Sequence, residues 1–555
     1  MEKTACGMRL KLRLALVLMS VFQTSISASP ALPKQDVYAN PVIHADYSDP
    51  DVIRAGDRYY MTASSFNLAP GLPLLQSTDM VNWHLTGYAF EQQTPAENFI
   101  KPQHGKGVWA PCLRYHDGMF WIFYPDPDAG IYMITAKDFN GPWSKPHLLL
   151  AGKGLIDPSP LWDEDGNAYL IHAWAKSRVG INNRITLRKM SGDGKQILDQ
   201  EGMVIIDGDK LRGYTTLEGP KLYKYQGYYY IFAPAGGVEH GWQSVFRAKN
   251  ITGPYEDKIV LHQGKTNING PHQGAWVQTA EGKDWFYHFQ DKRAYGRIVH
   301  LQPMQWKDGW PQMGQDINEQ GIGEPVSMYA RPLSGARDTI RQVSDDEFSL
   351  KKLDLVWQWN ANWEASWHSL SARPGHLRLF SQPGQETGDN LWHTPAILLQ
   401  KLPATSFVVD SSFDIRHLAD GDRAGLLMYG MDYAWLGVMR QQNGASLVMV
   451  TCHQADAGSQ EKPEASQILK QHIVYLRMEV GDGGLTQFFY SLNRKDYSKL
   501  GPAFTARMGR WVGASMGLFS AAKNRVDKAS GYVDIDYFKV KVLPLPPVIE
   551  NIVEE

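Results

Sequence analysis

One pattern recurs through the N-terminal part of this chain. A small or acidic residue, often with a proline, precedes an apolar pair, a turn and an aromatic-rich strand. The starts lie about 50 to 60 residues apart, a period typical of β-propeller blades, and each interval has room for a four-stranded sheet. The segments are "DPDVIRAGDRYYMTAS" from Asp49, "APCLRYHDGMFWIFYP" from Ala110, "DPSPLWDEDGNAYLIHA" from Asp157, "EGPKLYKYQGYYYIFAP" from Glu218 and, more weakly, "GAWVQTAEGKDWFYHFQ" from Gly274.

Turns of the type Gly-Asp, Asp-Gly and Gln-Gly separate the apolar strands of these units, which is a hairpin signal. Five units fit within residues 36–335 and predict a five-bladed propeller. Past Leu333 the strands become longer and alternate apolar with polar residues, as in "AGLLMYGMDYAWLGVMR" and "GYVDIDYFKVKV". This alternation predicts a β-sandwich over residues 345–545. The chain is therefore expected to be all-β, with a linker at residues 334–344.

The repeat starts carry acidic residues. In a propeller the inner strands of all blades converge on one axis, so residues at equivalent strand starts gather at one end. Asp49, Asp157 and Glu218 hold such positions, and the repeat predicts three carboxylates facing one cavity. Asp51 lies two residues beyond Asp49, on the same face of a regular strand, and competes with it for any chemical role. Taken singly, Asp49 and Asp157 could equally be turn-capping aspartates.

Three gathered carboxylates suit the hydrolysis of a glycosidic bond. One acid protonates the leaving oxygen, while a second carboxylate activates water or attacks carbon. Like charges in a partly dry pocket raise at least one pKa, which keeps an acid protonated near neutral pH. Aromatic residues make up 12% of the chain, with 18 Trp and 26 Tyr, and offer faces that can stack on sugar rings.

The N-terminus resembles a secretory signal. Basic residues precede an apolar run at residues 14–22 and a small-residue cleavage site near Ala28. Residues 1–28 are therefore predicted to be removed on export, which would leave the protein secreted or periplasmic. The formal net charge of −2 gives no reason to expect a nucleic-acid partner, and no later stretch predicts membrane insertion. Only Cys112 and Cys452 would remain after cleavage, which makes a disulfide framework unexpected.

The motifs "YSDPDVIRAGDRYY", "VWAP", "IDPSPLWDEDGNAYL" and "LEGPKLYKYQGYYY" together resemble glycoside hydrolase family 43. These are five-bladed propeller enzymes acting on arabinose- and xylose-containing polysaccharides. "LDLVWQWNAN", "RPGHLRL" and "SGYVDIDYFKV" resemble the concanavalin-like, β-xylosidase-type C-terminal sandwich often attached to that family. The resemblance implies inversion, with Asp49 as the general base and Glu218 as the general acid. Asp157 would raise the pKa of the acid and orient it.

The resemblance also implies further site residues. Trp109 precedes a repeat start and would stack on a sugar, and Phe66 matches an aromatic wall, although either could be a core residue. Arg297 matches an arginine near the sugar hydroxyls and catalytic carboxylates, with a structural ion pair as the alternative. His272 resembles a channel histidine that touches a bound cation or its waters in many members. A lone histidine is more often a core residue, so no cofactor is required, and a structural Ca²⁺ is the only candidate.

These features lead to one expected function and two alternatives. The expectation is an exported, exo-acting glycosidase that releases terminal pentose from arabinoxylan- or arabinan-derived oligosaccharides of plant cell walls. The attached sandwich favours β-D-xylosidase over α-L-arabinofuranosidase, and it could also lend a loop to close the pocket. A non-catalytic sugar-binding propeller is the more distant alternative, since it would keep Trp109 and Phe66 but would not need three acids.

Overall fold

The computed structural model describes residues 36–317, 319–333, 345–383, 390–522 and 531–544. The predicted signal segment and the predicted linker lie outside the described residues. Within them the protein is nearly all β, and the helices are short. The single α-helix of the described part spans Lys176–Val179, and the 3-10 turns are Ala96–Phe99, Gly208–Lys210, Arg293–Tyr295, Ala365–Trp367, Ala455–Ala457 and Asp482–Gly484. No helix there is long and apolar enough to cross a membrane.

A five-bladed propeller follows the first short strand, β1 (Val37–Ala39), and confirms the prediction from the repeat. Each blade is a four-stranded antiparallel sheet whose strands pair in chain order. The blades consist of β2 (Asp51–Ala55), β3 (Arg58–Thr62), β4 (Gly71–Ser77) and β5 (His84–Phe90); β6 (Cys112–His116), β7 (Met119–Asp126), β8 (Gly130–Ala136) and β9 (His147–Ala151); β10 (Leu155–Trp162), β11 (Ala168–Trp174), β12 (Arg184–Met190) and β13 (Met203–Asp207); β14 (Lys221–Tyr225), β15 (Tyr228–Ala235), β16 (Trp242–Ala248) and β17 (Glu256–His262); β18 (His272–Gln278), β19 (Asp284–Asp291), β20 (Arg297–Lys307) and β21 (Trp310–Met313).

The ring closes where its two ends meet. The innermost strands β18 and β2 lie side by side, which brings the fifth blade against the first. Strand β1 pairs antiparallel with β22 (Met328–Ala330), and Ile43 forms a β-bridge with Val299 of β20. The chain before the first blade is thereby hydrogen-bonded to the chain of the last blade. Closure of this kind protects the strand edges that an open ring would expose.

A two-sheet β-sandwich forms the C-terminal part, also as predicted. Its strands are β23 (Gln358–Trp359), β24 (His368–Ser369), β25 (Leu377–Phe380), β26 (Gln382–Pro383), β27 (Ile397–Lys401), β28 (Phe407–Asp414), β29 (Asp422–Tyr429), β30 (Tyr433–Gln441), β31 (Gly444–Cys452), β32 (Lys462–Leu469), β33 (Ile473–Val480), β34 (Leu485–Ser491), β35 (Ser498–Lys499), β36 (Phe504–Thr505), β37 (Ser515–Ala522) and β38 (Tyr532–Val542). One sheet runs β23-β27-β37-β29-β30-β31-β32, and the other runs β24-β25-β38-β28-β33-β34-β35.

Tryptophan-rich packing between the sheets accounts for the aromatic cluster at the start of this region. The side chains of Trp357, Trp359 and Trp367 are buried in the sandwich core, and Trp392 is buried in a neighbouring apolar cluster. These rings are therefore not displayed as a separate sugar-binding surface. Cys112 and Cys452 are both buried free thiols, in agreement with the expectation from their number and placement.

Backbone hydrogen bonds join the sandwich to the first blade. Ala69 and Trp359 donate to each other's carbonyl oxygens, at 3.1 and 2.6 Å. Asn67 Nδ2 donates to the Asn360 carbonyl at 2.8 Å, and the His104 ring stacks on Trp392 with centroids 3.7 Å apart. This side of the propeller is consequently covered by the sandwich, and a sandwich loop can reach the mouth of the channel.

Candidate active site

The acids at the strand starts sit on an unusual backbone. Asp49 has a φ of 55° and Asp157 a φ of 54°, in the left-handed region that non-glycine residues seldom adopt. Each is followed by a proline; Asp49 lies just before the inner strand β2, whereas Asp157 lies within β10, where the pairing with β11 is irregular between Ile156 and Ser159. Backbone strain of this kind persists only where the surrounding structure enforces it, and it is concentrated at functional sites. The repeat therefore specifies a conformation as well as a residue type.

In the fourth blade the acidic residue comes one position before the left-handed residue, rather than at it. Here the left-handed residue is Gly219, with a φ of 60°, so the carboxylate of Glu218 stands one position earlier. A Cβ at residue 219 would lie 2.5 Å from Cγ of Gln273, a contact that only glycine avoids. The Glu218 side chain is 23% exposed, against 6% for Asp49. The offset thus gives Glu218 more access to the cavity than the aspartate has.

A cavity of about 260 Å³ lies at the mouth of the channel. Asp49, Asp157 and Glu218 all line it, so the structure brings the three predicted carboxylates together from three blades. The cavity is smaller than the range of about 300–1,000 Å³ that is usual for drug-sized ligands, and this size suits a single sugar unit. Its wall also includes the three residues expected to bind substrate, namely Phe66, Trp109 and Arg297.

Two hydroxyl groups and a guanidinium hold the Asp49 carboxylate. Ser48 Oγ and Ser64 Oγ both donate to Oδ2, at 2.8 and 2.5 Å. Arg297 Nη1 lies 3.4 Å from Oδ1 and donates to Ser48 Oγ at 2.6 Å. These contacts fix the orientation of the carboxylate, and a general base needs such positioning. Arg297 accordingly lines the cavity and forms an ion pair with Asp49.

Asp157 is buried and joins the third blade to the fourth. Its Oδ2 accepts a hydrogen bond from the backbone N–H of Gly219 at 2.7 Å, directly beside Glu218. Burial raises the pKa of Asp157 well above its usual range, and the charges of Glu218 and Asp49 raise it further. Asp157 therefore keeps its proton at pH values at which an ordinary aspartate has lost it. The proton on Asp157 thus lies close to Glu218.

His272 is fully buried and contacts the remaining carboxylate. Its Nε2 lies 3.0 Å from Glu218 Oε1, within hydrogen-bonding distance, whereas Nδ1 has no partner among the described residues. The described part of the chain contains no group of three or more His, Cys, Asp or Glu arranged to hold a metal. Ca²⁺ takes six to eight oxygen ligands, so these residues do not form a complete ligand set. The described side-chain hydrogen bond of His272 is therefore the one to Glu218.

Asp51 lies one layer deeper in the channel and does not line the cavity. Its side chain is wholly buried, and Oδ2 accepts from Leu113 N at 2.6 Å and from Arg114 Nη1 at 3.1 Å. Lys221 Nζ lies 3.5 Å from the same oxygen, with its own side chain 4% exposed. Ser159 Oγ completes this layer by accepting from Arg114 Nη2 at 3.0 Å. Asp51 therefore links the first blade to the second and fourth and has no access to substrate.

Two further acids lie at and just before the first repeat segment. Asp46 is buried and accepts from the backbone N–H of Arg297 and of Gly513, both at 2.8 Å. It thereby ties the fifth blade to a loop of the sandwich. Asp57 is exposed at the hairpin turn between β2 and β3. Of the four acids within residues 46–57, only Asp49 reaches the cavity.

Aromatic rings from both domains form one wall of the cavity. The rings of Phe66 and Trp109 meet edge to face, with centroids 6.4 Å apart. Trp511, from the sandwich loop before β37, approaches Trp109 with centroids 6.1 Å apart and lines the same cavity. Trp511 is 44% exposed and has a φ of 66°, which is rare for a bulky residue. The sandwich therefore contributes a residue to the mouth of the propeller.

Sequence reasoning did not identify Trp511, Thr216 or Gln273 as cavity residues. Thr216 and Gln273 have φ values of 51° and 34°, and both line the cavity. Gln273 precedes the fifth repeat segment, where the weaker pattern hid its equivalence to the acids. For Trp511 a signal was present in "MGRWVG", where a large ring stands between two glycines that favour a turn. That Trp511 lies beside Trp109, however, depends on how the sandwich packs against the propeller.

Both structural parts of the chain match known family models. Residues 38–311 match the model of glycosyl hydrolases family 43. Residues 345–541 match the model of the beta xylosidase C-terminal Concanavalin A-like domain. Both matches follow the two structural parts, the propeller and the sandwich.

Similar proteins match both parts. A β-xylosidase of Formosa agariphila is 33% identical over 548 residues, covering 90% of each chain. A non-reducing end α-L-arabinofuranosidase of Bacteroides ovatus is 27% identical over 478 residues, covering 81% of this chain and 82% of its own. The solved structure of a bifunctional GH43-CE protein from Bacteroides eggerthii superimposes with a TM-score of 0.79 at 30% identity, covering 92% of this chain and 64% of that one.

Proposed function

The chain belongs to glycosyl hydrolase family 43 and is a glycosidase, and we propose that it is an exo-acting β-D-xylosidase. The observation that carries the proposal is the small cavity in which Asp49, Asp157 and Glu218 meet under Trp511. A single sugar fills such a cavity, so the enzyme would remove terminal units rather than cut within a chain. The β-xylosidase name of the Formosa agariphila relative, which covers both domains, supports xylose as that unit.

The geometry suggests a division of roles among the carboxylates. Asp49, held by Ser48, Ser64 and Arg297, would take a proton from water as the water oxygen attacks the anomeric carbon. The bond to the leaving oxygen breaks, and Glu218 supplies the proton which that oxygen needs. Attack from the face opposite to the leaving group inverts the anomeric configuration. Asp157 stays next to Glu218 as a partner whose own ionisation is disfavoured by burial and by the charge of Glu218.

α-L-Arabinofuranosidase activity is the second candidate. The observation that favours it is the arabinofuranosidase name of the Bacteroides ovatus relative. The two pentoses are isomers that place similar hydroxyls in a small pocket, and the fine shape of a pocket discriminates between such ligands by only a few kcal/mol. Natural substrates would be arabinoxylan- or arabinan-derived oligosaccharides in either case.

Hydrolysis of nitrophenyl β-D-xyloside and nitrophenyl α-L-arabinofuranoside, measured side by side, tests the proposal. We expect turnover of both, with the higher kcat/KM on the xyloside. A higher kcat/KM on the arabinofuranoside would favour the second candidate. Binding of pentose without turnover of either compound would contradict the glycosidase mechanism and support a sugar-binding propeller.

We also propose export, on the basis of the basic and apolar segment at residues 1–28. Fractionation of a bacterium that expresses the full chain, with N-terminal sequencing of the recovered protein, provides the test. A mature N-terminus near residue 29 outside the cytoplasm would support export, and an intact cytoplasmic chain would contradict it.

A further inference from the structure

A second cleft, larger than the catalytic cavity, adjoins it. Its volume is about 720 Å³, and it shares Val238, Arg297 and Trp511 with the cavity as common walls. The cleft lies between the helical turn Arg293–Tyr295 of the fifth blade, the loop after β15 in the fourth blade and the sandwich loop before β37. No role has been assigned to it above.

The lining of this cleft combines apolar walls with polar and charged groups. Carboxylate, amide and guanidinium groups form planar hydrogen-bonding surfaces that can engage neighbouring hydroxyls of a sugar in pairs. Both signs of charge are present, and Arg297 is already paired with Asp49, which favours a neutral ligand over an ion. Besides the shared Arg297, the polar side chains are Glu239, His240, Gln263, Asn269, Asp291, Arg293 and Arg507.

The loop that forms one shared wall is linked to the strand beside Glu218. Glu218 N donates to the carbonyl of Pro234 in β15 at 3.2 Å, and Val238 follows the end of that strand. Both Glu218 and Val238 line the cavity. If a leaving oxygen receives its proton from Glu218, the sugar units attached to it can leave the cavity past the shared wall and enter the cleft.

We propose that this cleft binds the units of a neutral oligosaccharide that follow the first leaving-group sugar, so that the enzyme prefers substrates of three or more sugars to disaccharides. The inference rests on the proposed function of the cavity. The cleft is large enough for more than one further unit, since its volume is well over twice that of the cavity.

Arg293 offers the most direct test of the cleft. Its side chain is exposed, and no hydrogen bond or ion pair ties its guanidinium to another described residue. Its φ of 54° is one that asparagine tolerates, so Arg293→Asn should fold normally. Arg494 is a matched control, because it is also an exposed arginine with a positive φ, 65°, but belongs to a sandwich turn and does not line either cavity.

The experiment measures kcat/KM on nitrophenyl xyloside and on xylo-oligosaccharides of two, three and four units. We expect the wild-type value to rise about fivefold or more from two units to four, because hydrogen bonds to charged groups strengthen binding of the longer substrates. Arg293→Asn should lose most of that rise and keep its activity on nitrophenyl xyloside, whereas Arg494→Asn should match the wild type throughout.

Each other outcome contradicts the proposal. A wild-type kcat/KM that stays flat or falls as the number of sugar units increases would overturn the proposal without any variant. It would also be overturned if the kcat/KM of Arg293→Asn rose with the number of units as much as that of Arg494→Asn. Equal loss by Arg293→Asn on nitrophenyl xyloside would show that the residue supports the cavity and not the cleft. Failure of the proposed function is distinct, because it would remove activity on both aryl pentosides. If the enzyme prefers arabinofuranosides, the substrates of two, three and four units are arabino-oligosaccharides instead.

Discussion

Two successive layers of the same channel contain ionisable groups that have opposite surroundings. In the outer layer Asp49, Asp157 and Glu218 line a cavity, and like charges face one another. In the inner layer the carboxylate of Asp51 is wholly buried and lies between the cations of Arg114 and Lys221. The outer arrangement costs stability and creates reactivity, while the inner one compensates its charges and joins blades. Asp49 of the outer layer and Asp51 of the inner layer are only two residues apart in the sequence.

Asp49→Asn is the sharpest test of the outer layer. We expect kcat to fall by about 10²–10⁴-fold on every substrate, because an amide cannot accept the proton of water. The unfolding temperature should change less than in Asp51→Asn, because relief of the like charges offsets the loss of the ion pair with Arg297. Steady-state kinetics and thermal unfolding give both values. Substantial residual activity would contradict the assignment of the base to Asp49.

Glu218→Gln should distinguish the acid from the base within the same layer. We expect a loss approaching that of Asp49→Asn on xylobiose but a much smaller loss on nitrophenyl xyloside, whose leaving group needs little protonation. The ratio of kcat/KM on the two substrates, compared with the ratio for the wild type, provides the measurement. An equal loss on both would argue against acid catalysis by Glu218.

Asp51→Asn should affect the inner layer in the opposite way. Removing one partner from a buried ion pair leaves uncompensated charges on Arg114 and Lys221 and destabilises by about 3–5 kcal/mol. We expect a marked fall in the free energy of unfolding, with far less change in kcat per folded molecule than Asp49→Asn produces. Asp57→Asn, at the exposed turn of the same segment, is the neutral control. If Asp51→Asn behaved like Asp49→Asn, the separation of the layers would be wrong.

Asp157 links the outer layer to pH. Because its pKa is raised in the folded state, the stability that its bound proton provides is present at low pH and is lost as pH rises through the raised pKa. Asp157→Asn lacks this loss, so its unfolding temperature should gain on that of the wild type from about pH 4 upward. Thermal unfolding of both proteins across pH tests this expectation. Parallel curves would show that the carboxyl titrates normally.

Chelation should have the smallest effect. The described residues around His272 do not form a complete ligand set, so we expect EDTA to change kcat/KM by less than about twofold. A loss that added Ca²⁺ restores would instead establish the channel ion. It would also show that His272 orients Glu218 only while a cation is present.

The sequence repeat predicted which carboxylates form the outer layer, whereas the inner layer follows only from how the blades pack. Equivalent strand starts were sufficient to predict that Asp49, Asp157 and Glu218 converge, because propeller symmetry converts spacing into position. The competition between Asp49 and Asp51 could not be settled in that way, since both lie on the same face of a regular strand. The left-handed backbone at Asp49 and the cations around Asp51 decide it, and the cations come from the second and fourth blades.

The carboxylate of Asp46 has a consequence for how enzymes of this build can be altered. One oxygen holds the strand that carries Arg297, and the other holds the loop that carries Trp511. Asp46 thus links the propeller to the sandwich at the mouth of the cavity. A propeller produced without the sandwich would lack the side of the cavity that Trp511 forms. Exchange of the sandwich between relatives should therefore retune which chain ends are accepted while leaving the bond-breaking chemistry intact.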